Sequence, residues 1–95
     1  MNSEELIGTA VVKRNMEVLA SLVAGEVVIY NELKGAYFGL NQMGSKIWAL
    51  LDSPRTIDSL VSELLSAFEV SPEQCRSDLS TFLEQMISKQ LITIV

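Results

Sequence analysis

The side chains that usually carry enzyme chemistry are sparse in this sequence. Histidine is absent from all 95 residues, and cysteine occurs once, at Cys75. Without histidine there is no Ser–His or Cys–His nucleophile pair and no imidazole to act as a general base. A structural zinc site is normally built from several Cys and His side chains, which this chain does not supply. No spacing of carboxylates or lysines replaces them, so the sequence predicts no catalytic residue, no metal site and no cofactor.

The charged residues are mostly acidic. Seven basic and twelve acidic residues give a formal net charge of −5 at pH 7. The imbalance is sharpest between Thr56 and Ser88, where Arg76 is the one basic residue. The acidic residues of this segment are Asp58, Glu63, Glu69, Glu73, Asp78 and Glu84. Such a surface repels phosphate backbones and attracts basic peptides, so we expect no nucleic-acid partner.

Composition indicates one folded domain spanning residues 1–95, because 48% of the residues are apolar and 20% are charged. The apolar runs are too short to span a bilayer, so we expect no membrane partner. The N-terminal residues Met1–Glu5 lack the basic and apolar regions of a signal peptide, and a single cysteine fits a reducing compartment. We therefore expect a cytoplasmic protein, with residues 1–10 a candidate disordered lead-in.

The first half of the chain carries strand patterns. Two apolar, β-branched runs, Val18–Val23 and Glu26–Tyr30, flank a turn at Ala24–Gly25. A five-residue loop ending at Gly35 then predicts a hairpin, because glycine tolerates positive φ. The chain returns as a third strand over Ala36–Leu40.

The third strand has no obvious partner on its far side. Alternation places Phe38 and Leu40 on one face, and Tyr37 and Gly39 on the other. A free edge of this kind can accept an incoming strand through the backbone groups of Tyr37 and Gly39. Two other partners for the edge of Ala36–Leu40 remain open: a second copy of the chain, or the β-prone tail Ile92–Val95.

The second half carries helix signals. Asn41 predicts an N-cap for a helix over residues 42–51, and Pro54 breaks the chain after it. A second helix begins at Thr56. Ser71 at the N-cap, Pro72 at the first helical position and Gln74 two residues later predict a capping box at the start of a third helix, over residues 72–88.

Strands followed by helices indicate an α+β fold, a three-stranded antiparallel sheet followed by a three-helix bundle. The short connection at Glu69–Val70 makes the second and third helices a helix-turn-helix candidate. Apolar spacing places Trp48 and Cys75 in the core.

Three ordered motifs resemble the PqqD-like family. They are Y-F-G-L-N-x-x-G-x-x-I-W-x-L-L at Tyr37–Leu51, R-T-I-x-x-L-V at Arg55–Val61, and D-L-x-x-F-L-x-x-M-x-x-x-x-L-I at Asp78–Ile92. The resemblance covers roughly residues 11–95. It implies a winged helix-turn-helix-like fold and a non-catalytic role: recognition of the leader segment of a ribosomally synthesised, modified peptide. The leader of such a family member adds as a strand to the third strand, beside the third helix.

The resemblance also implies a site and partners. The implied peptide-binding residues are Ala36, Tyr37, Phe38, Gly39, Leu40, Arg76, Asp78, Leu79, Phe82, Leu83 and Met86. From the residues alone, the apolar members on the third helix are most simply core, and its charged members are most simply solvated. The implied partner enzyme is a transglutaminase-like leader peptidase of a lasso-peptide pathway, or a radical SAM enzyme.

Two other functions compete with leader recognition. A DNA-binding winged helix would need basic residues on its recognition helix, but here Arg76 and Lys89 stand against Glu73, Asp78 and Glu84. A dimerisation module remains open, because the same edge strand can pair with its own copy.

Overall fold

The computed structural model describes residues 6–32 and 34–95. Residues 1–5, part of the predicted disordered lead-in, and residue 33, in the middle of the predicted hairpin loop, lie outside the described residues. Residues 6–10, which the sequence groups with a disordered lead-in, lie against the fold. Leu6 is 7% exposed, and the backbone oxygens of Gly8 and Ala10 each accept a hydrogen bond of 3.0 Å from the start of the second helix. Across the described part of the chain, no helix combines the length and the apolarity needed to span a membrane.

The described residues form six strands and three helices. In chain order these are β1 (Val11–Arg14), β2 (Leu19–Val23), β3 (Glu26–Asn31), β4 (Ala36–Gly39), α1 (Gln42–Leu50), β5 (Arg55–Thr56), α2 (Ile57–Ala67), α3 (Pro72–Ser88) and β6 (Ile92–Ile94). The predicted α+β class is confirmed, and the strand predicted third is β4.

The predicted antiparallel sheet is present, with strand order β2–β3–β4. Val23 pairs with Glu26 across a two-residue turn in which Ala24 (φ 53°) and Gly25 (φ 84°) are both left-handed. Two left-handed residues give a type I′ turn, whose twist matches the flanking strands. The predicted three-stranded sheet is confirmed.

A second three-stranded sheet, in the order β5–β1–β6, was not predicted from the sequence. In it Val11 pairs with Thr56, and Val12 pairs with Ile94. At the end of α3, Gln90 adopts a left-handed conformation (φ 62°) and turns the chain toward β1. The alternative in which the tail covers β4 is therefore excluded, because β6 pairs with β1.

Each helix begins at a side-chain cap; Asn41 and Ser71 were predicted as caps, and Thr56 was predicted as the start of its helix. The side-chain oxygens of Asn41, Thr56 and Ser71 each accept a hydrogen bond from the backbone N–H three residues later, at 2.8, 3.1 and 3.1 Å. The capping box predicted for α3 is only half formed, because Gln74 donates its side-chain amide to Asp78 at 2.7 Å.

The core lies between the three helices, the inner face of β3 and the second sheet. Trp48 is 3% exposed and Cys75 is fully buried, as predicted. Burial raises the pKa of the Cys75 thiol; the nearby Asp78 carboxylate adds to the rise and Arg76 opposes it. At neutral pH Cys75 is therefore a protonated, buried thiol and not a nucleophile.

Candidate functional site

The outer edge of β4 is free among the described residues, since β4 is hydrogen-bonded to β3 alone. The Leu40 N–H donates to the Val27 oxygen at 2.8 Å, so the backbone groups of Leu40 face β3. In an antiparallel pair this orientation alternates along the strand. Tyr37 and Gly39 therefore direct their N–H and C=O groups away from β3, toward the free edge.

A buried serine fixes the end of this strand pair to α1. The Ser45 hydroxyl accepts a hydrogen bond from the Val27 N–H at 2.9 Å and donates one to the Leu40 oxygen at 3.2 Å. It thus takes the place of a missing ladder bond where β3 and β4 separate. The position of the free edge relative to the helices is set by this bridge.

Two adjoining recesses lie between β4 and α3, and together we call them the β4–α3 groove. The recess beside β4 is lined by Phe38, Gly39, Leu40, Asn41, Phe82, Gln85, Met86 and Lys89. The recess beyond the end of β4, at the start of α1, is lined by Asn41, Met43, Gly44, Ile47, Asp78, Thr81, Phe82 and Gln85. The outward backbone groups of β4 therefore lie beside a groove lined by side chains of β4, α1 and α3.

One face of α3 forms the wall of the groove. Its residues Asp78, Thr81, Phe82, Gln85 and Lys89 recur at helical spacing. This face is mixed in character, with an apolar centre and polar ends.

Three of the predicted site residues on α3 lie outside the groove. Leu79 and Leu83 are fully buried on the core face of the helix. Arg76 points toward α2, where its Nη2 forms an ion pair of 3.2 Å with Asp58. Met86 is 4% exposed, so it belongs mainly to the core while forming part of the groove floor.

The predicted residues on β4 are divided between the two faces of the strand. Phe38 and Leu40 face the groove side and the core. Tyr37 is 72% exposed on the opposite face, where its ring centroid lies 4.8 Å from that of Tyr30. Ala36 is half-buried at the start of the strand. The aromatic ring of Tyr37 thus stands beside any incoming strand, on the side away from α3.

Two glycines near the groove have opposite surroundings. A Cβ added to Gly44 would lie 2.9 Å from Cε1 of Phe82, so the Phe82 ring packs directly on the α1 backbone. A Cβ added to Gly39 would meet nothing within 4 Å. Gly44 therefore allows the Phe82 ring to pack closely at the groove wall, whereas Gly39 leaves open space beside the free edge.

Opposite charges mark the two ends of the groove. The Lys89 ammonium lies 5.3 Å from the centroid of the Phe38 ring, and Asp78 lies at the α1 end. Within residues 6–32 and 34–95 the single ion pair joins Arg76 to Asp58, so neither end charge is neutralised by an ion pair.

Several lining residues were not predicted from the sequence: Asn41, Met43, Gly44, Ile47, Thr81, Gln85 and Lys89. The available signal was the helical spacing from Asp78 and Phe82, which places Gln85 and Lys89 on the same face. Ser45 carried no signal, because its bridge joins residues far apart in the chain.

Known proteins are similar to this chain in sequence and in fold. The family model described as "Coenzyme PQQ synthesis protein D (PqqD)" matches residues 26–92. The solved structure "TbiB1 in Complex with the TbiA(beta) Leader Peptide" is 30% identical with a TM-score of 0.77, covering 84% of this chain and 93% of that chain. A second, "Lasso peptide synthetase B1 complexed with the leader peptide", is 16% identical with a TM-score of 0.70, covering 86% and 96%, and shows the shared fold. No curated protein sequence matches significantly.

Proposed function

The chain belongs to the PqqD family, and from this premise we propose that it binds the leader segment of a ribosomally synthesised precursor peptide. The leader adds as a fourth strand to the β2–β3–β4 sheet and places alternate side chains in the β4–α3 groove. The observation that carries this proposal is the free edge of β4 beside a walled groove. The similar protein TbiB1, which is bound to a leader peptide, supports it.

Backbone pairing supplies only part of the affinity. Tyr37 and Gly39 each offer one N–H and one C=O, giving up to four main-chain hydrogen bonds, each contributing about 1 kcal/mol net. Association costs at least several kcal/mol in lost freedom, so these bonds alone leave little surplus. Apolar leader side chains buried against Phe82 and Met86 would each add about 1.5–3 kcal/mol. The leader sequence is therefore selected by the groove walls, while the edge of β4 selects an extended backbone.

The proposed role is non-catalytic and cytoplasmic. The chain has no histidine, and its one cysteine is buried with a raised thiol pKa. A protein of this kind holds the leader while a separate enzyme acts on the precursor. We propose a leader peptidase resembling transglutaminases as that enzyme, with a radical SAM enzyme as the second choice.

A DNA-binding role is not favoured. The groove-facing side of α3 has one acidic end at Asp78 and one basic end at Lys89, and Arg76 is already paired with Asp58. A helix that reads DNA needs a net excess of basic side chains on the face it presents.

A direct titration tests the proposed function. The probe is a synthetic leader peptide with a fluorophore at one end, taken from any short precursor gene found beside the gene for this chain. We expect saturable one-to-one binding by fluorescence polarisation and no binding of the matching core segment. Absence of leader binding, together with salt-sensitive binding of duplex DNA, would instead support the winged-helix regulator.

A further inference from the structure

The opposite edge of the same sheet, along β2, is also free among the described residues. Val23 and Glu26 close a two-residue turn, so they form a hydrogen-bonded pair. Because hydrogen-bonded pairs alternate along an antiparallel ladder, Ser21 and Val28 form the next one. Ala20 and Leu22 therefore direct their N–H and C=O groups outward, away from β3. Every residue of β2 is exposed.

The β2 edge has none of the features that normally prevent edge strands from pairing. Such strands usually carry lysine, proline, an inward charge or a bulge. The segment Leu19–Val23 contains no charged residue and no proline, and it pairs with β3 in an unbroken register. Its apolar side chains are well exposed: Leu19 58%, Leu22 72% and Val23 57%.

A protruding side chain and a recess lie next to each other on this edge. The recess is lined by Arg14, Ala20, Ser21, Leu22, Val27, Trp48 and Ala49. Its rim is held in place, because Arg14 Nε donates to the Trp48 oxygen at 2.8 Å and the guanidinium lies 5.0 Å from the Trp48 ring centroid. Leu22 protrudes at the border of this recess. Two copies of this edge can therefore fit together about a twofold axis, with the protruding Leu22 of each copy placed in the recess of the other.

We propose that β2 pairs antiparallel with β2 of a second copy of this chain, about a twofold axis at Ser21. In this register Ala20 lies opposite Leu22 of the second copy and exchanges both backbone hydrogen bonds with it. Each Leu22 then lies over the recess of the other copy, and Leu19 lies opposite Val23. The two sheets become one six-stranded sheet with a β4 edge at each end, so both β4–α3 grooves stay open to peptide.

The acidic charge of the chain gives this dimer a recognisable salt dependence. Each copy carries a formal net charge of −5 at pH 7, whereas the pairing segment Leu19–Val23 itself carries no charge. The apolar centre drives association while these like charges oppose it, and salt screens the opposition. Raising the ionic strength therefore strengthens the dimer, whereas it would weaken capture of a basic partner strand on the same edge.

Sedimentation velocity of the full chain, from micromolar to millimolar concentration, tests the pairing. We expect a monomer–dimer equilibrium that shifts toward dimer as salt rises. Leu22→Lys should abolish the dimer, whereas Val95→Lys, with the same charge change at a side chain that is 71% exposed, should not. Both variants should keep wild-type leader binding, which separates this test from the test of the proposed function.

Several results would overturn the proposal. A wild-type protein that stays monomeric throughout the concentration range removes it. So does a dimer that Leu22→Lys and Val95→Lys affect equally. A dimer that survives Leu22→Lys but is lost in Gly39→Pro would show that the copies pair through β4 instead.

Discussion

The two free edges of the β2–β3–β4 sheet offer the same backbone chemistry in different surroundings. On β4 the outward groups belong to Tyr37 and Gly39, and on β2 they belong to Ala20 and Leu22. Beside β4 stands α3, which forms a wall with an apolar centre and charged ends. Beside β2 the described residues form a shallow recess against α1. Main-chain groups accept any extended partner, so the side chains beside an edge decide which partner it receives.

The largest expected effect is the loss of fold stability on substituting Met86, at the floor of the groove. Met86 is 4% exposed, so Met86→Glu places a carboxylate in an apolar site and should destabilise the fold by about 3 kcal/mol or more. Both edges should then be lost together. Gln85→Glu, one residue earlier on the exposed rim, is the control and should leave the fold intact. A thermal melt by circular dichroism makes this comparison; an unchanged melting temperature for Met86→Glu would mean that residue 86 faces the groove rather than the core.

Proline substitutions compare the two edges directly. Gly39→Pro removes an N–H that points outward, so the bonds between β3 and β4 are kept and proline is tolerated there. We expect leader binding to weaken at least about a hundredfold, from one lost hydrogen bond and the steric block on strand addition. Ala20→Pro makes the same change on the β2 edge and should leave leader binding unaltered.

Fluorescence polarisation with the leader, beside a melt of each variant, measures the outcome. A folded Gly39→Pro protein that binds the leader as tightly as wild type would rule out strand addition at β4. Equal losses in Gly39→Pro and Ala20→Pro would show that the two edges are not separate sites.

A smaller effect on leader binding is expected from alanine substitutions at the two glycines, Gly44 and Gly39. Gly44→Ala forces the Phe82 ring to move, because the new Cβ lies 2.9 Å from Cε1 of the ring. Alanine is also the better helix former by about 1 kcal/mol, which offsets the packing cost. We therefore expect a nearly unchanged melting temperature but several-fold weaker leader binding. Gly39→Ala is the matched control and should bind the leader almost normally in the same titration, because its new Cβ meets nothing within 4 Å. If Gly39→Ala weakened leader binding more than Gly44→Ala, the critical contact would lie beside Gly39 instead.

The elements set by local signals were predicted correctly from the sequence. The turn at Ala24–Gly25, the caps at Asn41 and Ser71, the helix start at Thr56 and the third strand of the sheet all depend on residues close together in the chain. The second sheet was missed for the opposite reason. Its strands are short, and its pairs, such as Val12 with Ile94, join distant parts of the chain.

The groove wall was predicted only in part. The resemblance implied Leu79 and Leu83 as peptide-binding residues, whereas apolar periodicity alone assigned them to the core, where the structure has them. Neither signal selected Gln85. Arg76 was included as a polar residue of the third helix, but it forms an ion pair with Asp58 on another helix, and that pairing cannot be identified from sequence. The β4 residues needed no such tertiary information, because alternation along a strand fixes which face each side chain takes.

Amide hydrogen exchange at the two edges tests strand addition at β4 most directly. With saturating leader, we expect the Tyr37 and Gly39 amides to become protected, because each then donates to the added strand. The outward amides of Ala20 and Leu22 should exchange as they do without leader. Unchanged exchange at Tyr37 and Gly39 in a leader-saturated protein, or new protection at Ala20 and Leu22 instead, would contradict binding at the β4 edge.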